Sequence, residues 1–203
     1  MLSIDPLKQS ERDNYKLLTG GIIPRPIAFV TTMSETGVIN AAPFSYFNIV
    51  TADPPMVSVS VQRKAGVRKD TALHAAAKNE FVVHIVDDEN VEKVNLTAAN
   101  LPVDESEVEL AGLTTIQSEV ISVPGLKEAK IRMECELEQI VELGGKEGTP
   151  SADLLIGRIV RFHIAEELYH QGRIDAEKLG AVSRLAGSNY AKLGEMFSLD
   201  RPK

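Results

Sequence analysis

The sequence predicts a mainly antiparallel β-fold, closed or partly closed into a barrel, with a few helices covering its openings. Three observations lead there. Ile131, Met133, Cys135 and Leu137 alternate with Arg132, Glu134, Glu136 and Glu138, the pattern of a half-buried antiparallel strand. Several further runs rich in Val, Ile, Phe and Thr are bounded by Gly, Pro, Asn and Asp. Strands outnumber helices and do not alternate with them as in a doubly wound sheet.

The elements follow in order. After a polar lead-in, "IPRPIAFVTTM" supplies a strand from about Pro26 to Met33. "SETG" turns the chain, with Gly37 suited to positive φ, and "VINAAPF" pairs back as a hairpin. Another strand runs from Met56 to Gln62. "KDTALHAAAKNE" is an alanine-rich helix to about Lys78, with Asp70 or Thr71 as its N-cap. "EFVVHIV" is a buried strand, "DDENVEKVNLTAAN" a second helix, and Leu101 to Ala111 holds another short helical piece. "KIRMECELEQI" and "LLIGRIVRFHI" form a long hairpin across the Gly-rich "LGGKEGTPSAD". The last forty residues are polar and loop-like, ending in a helix around Tyr190 to Phe197.

The chain of 203 residues suits a single domain, residues 1–203, and is long enough to bury a substantial core. A formal net charge of -7 argues against general nucleic-acid binding, which wants a basic surface. One cysteine, Cys135, excludes an internal disulfide and fits a reducing cytosol. The N-terminal "MLSIDPLKQSERDNYKLL" lacks the apolar core of a signal peptide, and no window approaches a membrane span. A cytoplasmic protein, without membrane or nucleic-acid partners, is expected.

Common catalytic signatures are absent: there is no G-x-S-x-G, no Walker A sequence and no G-x-G-x-x-G. His74, His84, His163 and His170 are scattered, and no Cys/His pair has zinc spacing, so no metal site is expected. His84 and His163 read as core or sheet-face histidines, and Cys135 as an inert packing residue. Glu134, Glu136 and Glu138 read as a solvated strand face rather than a catalytic cluster. With no side-chain machinery for hydrolysis or acyl transfer, a bound cofactor would carry any chemistry, and no catalytic side chain is assigned.

Three segments could make such a cofactor site. "VTTMS" offers the hydroxyls of Thr31, Thr32 and Ser34 at a strand end, and "APFSYFN" offers hydroxyl and amide groups beside aromatic surface. "RKAGVRKDTALHA" puts Arg63, Lys64, Arg68 and Lys69 before a helix N-terminus, where Lys69 and the Thr71 hydroxyl would suit a phosphate. Taken singly these are a solvated turn, a commonplace strand end and a bulged core strand. Together they suggest a flat, hydrogen-bonding ligand with a terminal phosphate. Flavin mononucleotide (FMN) has that shape, although spacing alone does not identify it.

The order of the P-R-P-I-A, N-x-A-P-F-S-x-F-N and K-D-T blocks, followed by "GRIDAEKLGAVSRLAGSNYAKLGEMFSLDRP", resembles the flavin reductase-like family of FMN-binding split-barrel proteins, over about Thr19 to Pro202. The resemblance implies a six-stranded antiparallel Greek-key split β-barrel with peripheral helices, a homodimer, and FMN near the dimer interface. It implies a phosphate site at Lys69 and Thr71, flavin contacts from Thr31, Thr32, Ser45 and Asn48, and closure of the pocket by Arg184 and Tyr190, from the same chain or across the dimer. At His84 many relatives carry asparagine, which implies an altered structural hydrogen bond rather than altered chemistry.

The activity so implied is NAD(P)H-dependent flavin reduction, with hydride passing from nicotinamide to flavin and NAD(P)H as electron donor. An oxygenase or another electron acceptor would consume the reduced flavin. The rival reading is an electron carrier of the flavoredoxin kind, which keeps FMN tightly and does not itself oxidise NAD(P)H.

Overall fold

The computed structural model describes residues 1–99, 101–102, 105–146 and 148–202. Its main sheet is built from β1 (Ala28–Met33), β2 (two segments, Ile39–Phe44 and Phe47–Ala52), β3 (Pro55–Gln62), β4 (Glu80–Ile85), β5 (Ile131–Leu143) and β6 (Ala152–Ile164). Every pairing among them is antiparallel. The first segment of β2 pairs with β1 and the second with β3, so the two edges of the sheet are one ribbon bent at Ser45-Tyr46. The Ser60 N–H donates to Tyr46 O at 2.8 Å and carries the ladder across the bend. The sheet therefore closes on itself, and counting the bent ribbon once gives six strands among the described residues.

The path is a Greek key. β1, β2 and β3 are a meander, and β4 returns to lie beside β1. β5 then pairs with β4, β6 with β5, and β6 with β3. Gly37, at φ 91°, makes the β1–β2 turn as its lack of a side chain permits. Gly157, at a register shift between β5 and β6, lies so close to Phe81 that a Cβ there would stand 2.3 Å from the ring.

Two faces of the sheet are dry. Val30, Val57, Val59, Val61, Phe81 and Leu155 fill the barrel, and Ala72 and Ala75 of helix α2 (Asp70–Lys78) close one mouth. On the outside of β1, Ile27 and Phe29 are covered by Val94 of helix α3 (Val91–Leu96), Val108 of the short helix Glu107–Leu110, and Val182. β1 is thus buried on both sides. His84 is fully buried, with Nδ1 at 2.9 Å from Phe29 O and Nε2 accepting from the Leu126 N–H at 2.9 Å. These partners require the neutral ring, and burial lowers its pKa to about 4. Cys135 is buried as expected, and burial pushes its thiol up.

Four expectations need correction. The polar lead-in carries a helix, Glu11–Gly21, capped by the Ser10 side chain. The segment Tyr190–Lys192 is a strand against Val182–Arg184, not the start of a helix; the turn between them closes with Leu185 N–H donating to Asn189 O and Gly187 at φ 62°. Helix α2 starts one residue early, with Lys69 at the N-cap instead of Asp70 or Thr71 and no side-chain cap. Glu134 does not belong to a solvated face: it is fully buried. Its carboxylate accepts from the N–H groups of Glu119, Val120 and Ile121 at 2.7 to 3.2 Å and lies 2.6 Å from His163 Nε2. Burial pushes its pKa up, but those donors outweigh burial and hold it below the usual range. The short helical piece expected within Leu101 to Ala111 is Glu107–Leu110, while Val103 and Asp104 of that stretch, and Glu147 of the Gly-rich connection, lie outside the described residues.

Candidate functional site

Three clefts meet along the bend in β2. Pro43 has no N–H to give to the ladder, and Ala42 beside it is small, so the ribbon here offers a low, partly open surface. A cleft of about 560 Å³ runs from Ala42 and Pro43 to Lys64, Lys69 and Thr71. It adjoins a second, of about 230 Å³, across Pro43 and Ala98, which line both. Arg25 and Ser45 are shared in turn between the second cleft and a third of about 400 Å³ that reaches Tyr46, Phe47 and Asn48. The first and third clefts each fall in the size range of small-molecule and cofactor sites, and the second is smaller.

The first cleft is the cationic end. Bonding within α2 begins with Ala72 and Leu73 donating to Lys69 O, which leaves the N–H groups of Asp70 and Thr71 without partners inside the helix. The Lys69 ammonium stands 6.0 Å from the centre of the Phe44 ring. The Thr71 hydroxyl is buried and donates to Asn40 Oδ1 at 2.9 Å. Asn40 Nδ2 and the Ala41 N–H donate to the buried Glu107 carboxylate at 3.1 and 3.2 Å, so β2 is braced from beneath.

The loop that carries Lys64 and Lys69 is pinned by two arginines that sequence reasoning had grouped with them. Arg63 holds the buried Asp153 carboxylate through two bonds, at 2.9 and 2.6 Å, and Arg68 reaches it at 3.1 Å and Glu142 at 2.6 Å. Burial would raise the Asp153 pKa, but the two guanidinium groups prevail and lower it. Arg63 is therefore spent on the fold, while Arg68, held by the same carboxylates, lines the cleft together with Lys64 and Lys69.

The second cleft is walled by Ile27, Val86, Val91 and Val94 and ends at Arg184, Tyr190 and Asn95. Arg184 donates to the Tyr190 hydroxyl and to Gly187 O and lies 4.5 Å from the centre of the Tyr190 ring; that hydroxyl donates to Asn95 Oδ1 at 3.1 Å. The strand register sets Arg184 opposite Arg25.

Of the residues expected from sequence, Ser45, Asn48, Lys69, Thr71, Arg184 and Tyr190 line these connected clefts. Asn48 is exposed, and its Oδ1 accepts from the Ile49 N–H at 2.8 Å. Thr31 and Thr32 do not join them. Both are fully buried, Thr31 donating to Pro124 O at 2.8 Å and Thr32 to Asn40 Oδ1 at 3.3 Å, because β1 is covered on both faces. Thr32 braces Asn40 beneath the cleft floor. Sequence reasoning missed Arg25, Asn95, Tyr15 and Glu107; for Arg25 the only local signal was its position between two prolines. Among the described residues no three His, Cys, Asp or Glu are grouped to hold a metal ion, and no helix is long and apolar enough to cross a membrane.

A family model described as "Flavin reductase like domain" matches residues 20–178. Nitrilotriacetate monooxygenase component B from Bacillus cereus is 67% identical, with a TM-score of 0.97 over 98% of both chains. Pseudomonas fluorescens 2-nitrobenzoate 2-nitroreductase is 30% identical, with a TM-score of 0.89 over 99% of this chain and 96% of that one. A Shewanella frigidimarina protein with a split barrel domain, 18% identical at a TM-score of 0.84 over 97% and 96%, shares the fold.

Proposed function

The chain belongs to the flavin reductase-like family and its function lies in flavin-related oxidation and reduction; from that premise we propose that it binds FMN and reduces it with NAD(P)H, in the cytoplasm, as a homodimer. The observation that carries this reading is a run of adjoining clefts that share lining residues, with a cationic helix end at Lys69 and Thr71 and a low surface at Ala42 to Ser45. The residues fit the group. A phosphate would find Lys64, Lys69 and the free N–H groups of Asp70 and Thr71. A flat ring system would lie against Ala42, Pro43 and Ser45, with Asn48 as a further donor, and Arg184 and Tyr190 would close the adjoining second cleft beside it.

FMN, when bound, supplies the acceptor for a hydride from nicotinamide. What the chain contributes is position and surroundings. The Arg63–Asp153–Arg68 cluster fixes the loop that presents Lys69, and the Glu107–Asn40 brace fixes the floor. The exclusion of water by Ile27, Val86 and Val94 strengthens each polar contact made inside. No proton donor or acceptor from the chain is required. The reduced flavin would serve an oxygenase or another acceptor, a reading supported by the likeness to a protein described as a monooxygenase component.

Anaerobic addition of NADH and then NADPH to the FMN-loaded protein tests this, with absorbance near the flavin band as readout. Bleaching by either nucleotide is expected and would reveal the donor. A band that persists with both would contradict the reductase and favour an electron carrier.

A further inference from the structure

Among the described residues, the second cleft holds two arginines and no acid. Arg25 and Arg184 are directly opposed across the strand pair, an arrangement that disfavours itself by like-charge repulsion unless an anion joins it. Arg25 is only 6% exposed, and its guanidinium donates to Thr19 O, Ile22 O and Leu185 O at 2.6 to 2.9 Å. Arg184 donates to a hydroxyl and a carbonyl. All of these partners are neutral, so they satisfy donors without offsetting charge. None of the described residues lining the cleft is Asp or Glu, in a chain whose net charge is -7. Arg63 and Arg68, by contrast, are both met by the buried Asp153 carboxylate.

We propose that the Arg25–Arg184 pair is an anion subsite for a second ligand beside the flavin position, and that this ligand is a planar organic carboxylate. The walls decide the class. Ile27, Val86, Val91 and Val94 give apolar surface for a flat body, while Arg184 keeps guanidinium N–H groups for a carboxylate. A volume of about 230 Å³ suits one ring with one acid group and is small for a dinucleotide. The assignment deepens the flavin reading by naming the chemical class of molecule that shares the cleft, and its setting rests on that reading.

Benzoate is the probe, with benzamide as its neutral counterpart, and calorimetric titration of the purified protein is run with and without FMN. The expected result is one benzoate per chain in both conditions and a preference over benzamide of about tenfold or more. In Arg184→Gln the preference should fall close to one, and in Arg184→Lys part of it should return, a pattern that a merely structural role would not give. Equal binding of benzoate and benzamide would overturn the proposal, as would a preference unchanged in Arg184→Gln. Inorganic pyrophosphate displacing benzoate at lower concentration would assign the pair to a phosphate instead. One-for-one exclusion of benzoate by FMN would assign it to the flavin. Failure of the protein to take up FMN would defeat the flavin reading alone, because benzoate binding is measured separately.

Discussion

His84 shows how a single buried side chain can serve the fold. Its two ring nitrogens bind Phe29 O and the Leu126 N–H, an arrangement that a protonated ring cannot keep, since both nitrogens would then be donors. With a folded pKa of about 4 against an ordinary 6.5, the unfolded chain takes up a proton that the native state refuses. Stability from this residue is complete above pH 6.5 and is lost as the pH falls toward 4, at up to about 1.4 kcal/mol per unit. Urea unfolding at pH 7 and pH 5 should show a smaller difference in His84→Asn than in the parent, and equal differences would contradict this account. Residue scale is also where the sequence was least legible. Thr31 and Thr32 look like free hydroxyls at a strand end because nothing local reveals that Ile27 and Phe29 are roofed by residues up to 155 positions away, such as Val182. That Lys69 and Thr71 line a cleft was legible because a cation, a hydroxyl and a helix start lie close together in the chain.

At the scale of elements, two buried carboxylates tie loops to the barrel. Glu134 gathers three successive N–H groups of the segment 119–121 onto β5, and Asp153 gathers Arg63 and Arg68 onto β6. Glu134→Ala leaves three backbone donors and His163 without their acceptor, and should cost about 3 kcal/mol or more in urea unfolding at pH 7. A loss under about 1 kcal/mol would mean that water replaces it. Asp153→Asn should act differently. It loosens the loop before α2, so FMN affinity is expected to fall about tenfold, checked by fluorescence titration; unchanged affinity would show that the loop holds Lys69 without the cluster. β3 was readable from alternation because its burial is periodic, whereas β1 and β4, buried on both faces, were readable as runs of Val, Ile, Phe and Thr. Glu134 broke that reading: its strand position says outward, and only the segment 119–121 folded over it makes that face dry. The strand at Tyr190 was misread for a related reason, since its partner and the turn at Gly187 decide it, not its own propensity.

For the whole molecule, the third cleft opens onto apolar surface. Leu18 and Ile22 line it, and Ile49 and Val50 continue it along β2 at 76% and 48% exposure. A second copy of the chain covering this face would wall the cleft beside Ser45 and Asn48, which is the proposed homodimer. Sedimentation should give a dimer for the parent and a monomer for Ile49→Asp, with weaker FMN binding in the variant. A monomer that keeps full FMN affinity would separate the site from the dimer. The central claim, however, is the cleft along the bend of β2, with phosphate at one end and ring at the other. Equilibrium titration of the purified protein with FMN and with riboflavin, which lacks the phosphate, tests it most directly. One FMN per chain is predicted, with riboflavin at least about tenfold weaker. Equal affinity for the two would contradict the phosphate end, and no uptake of either would contradict the site.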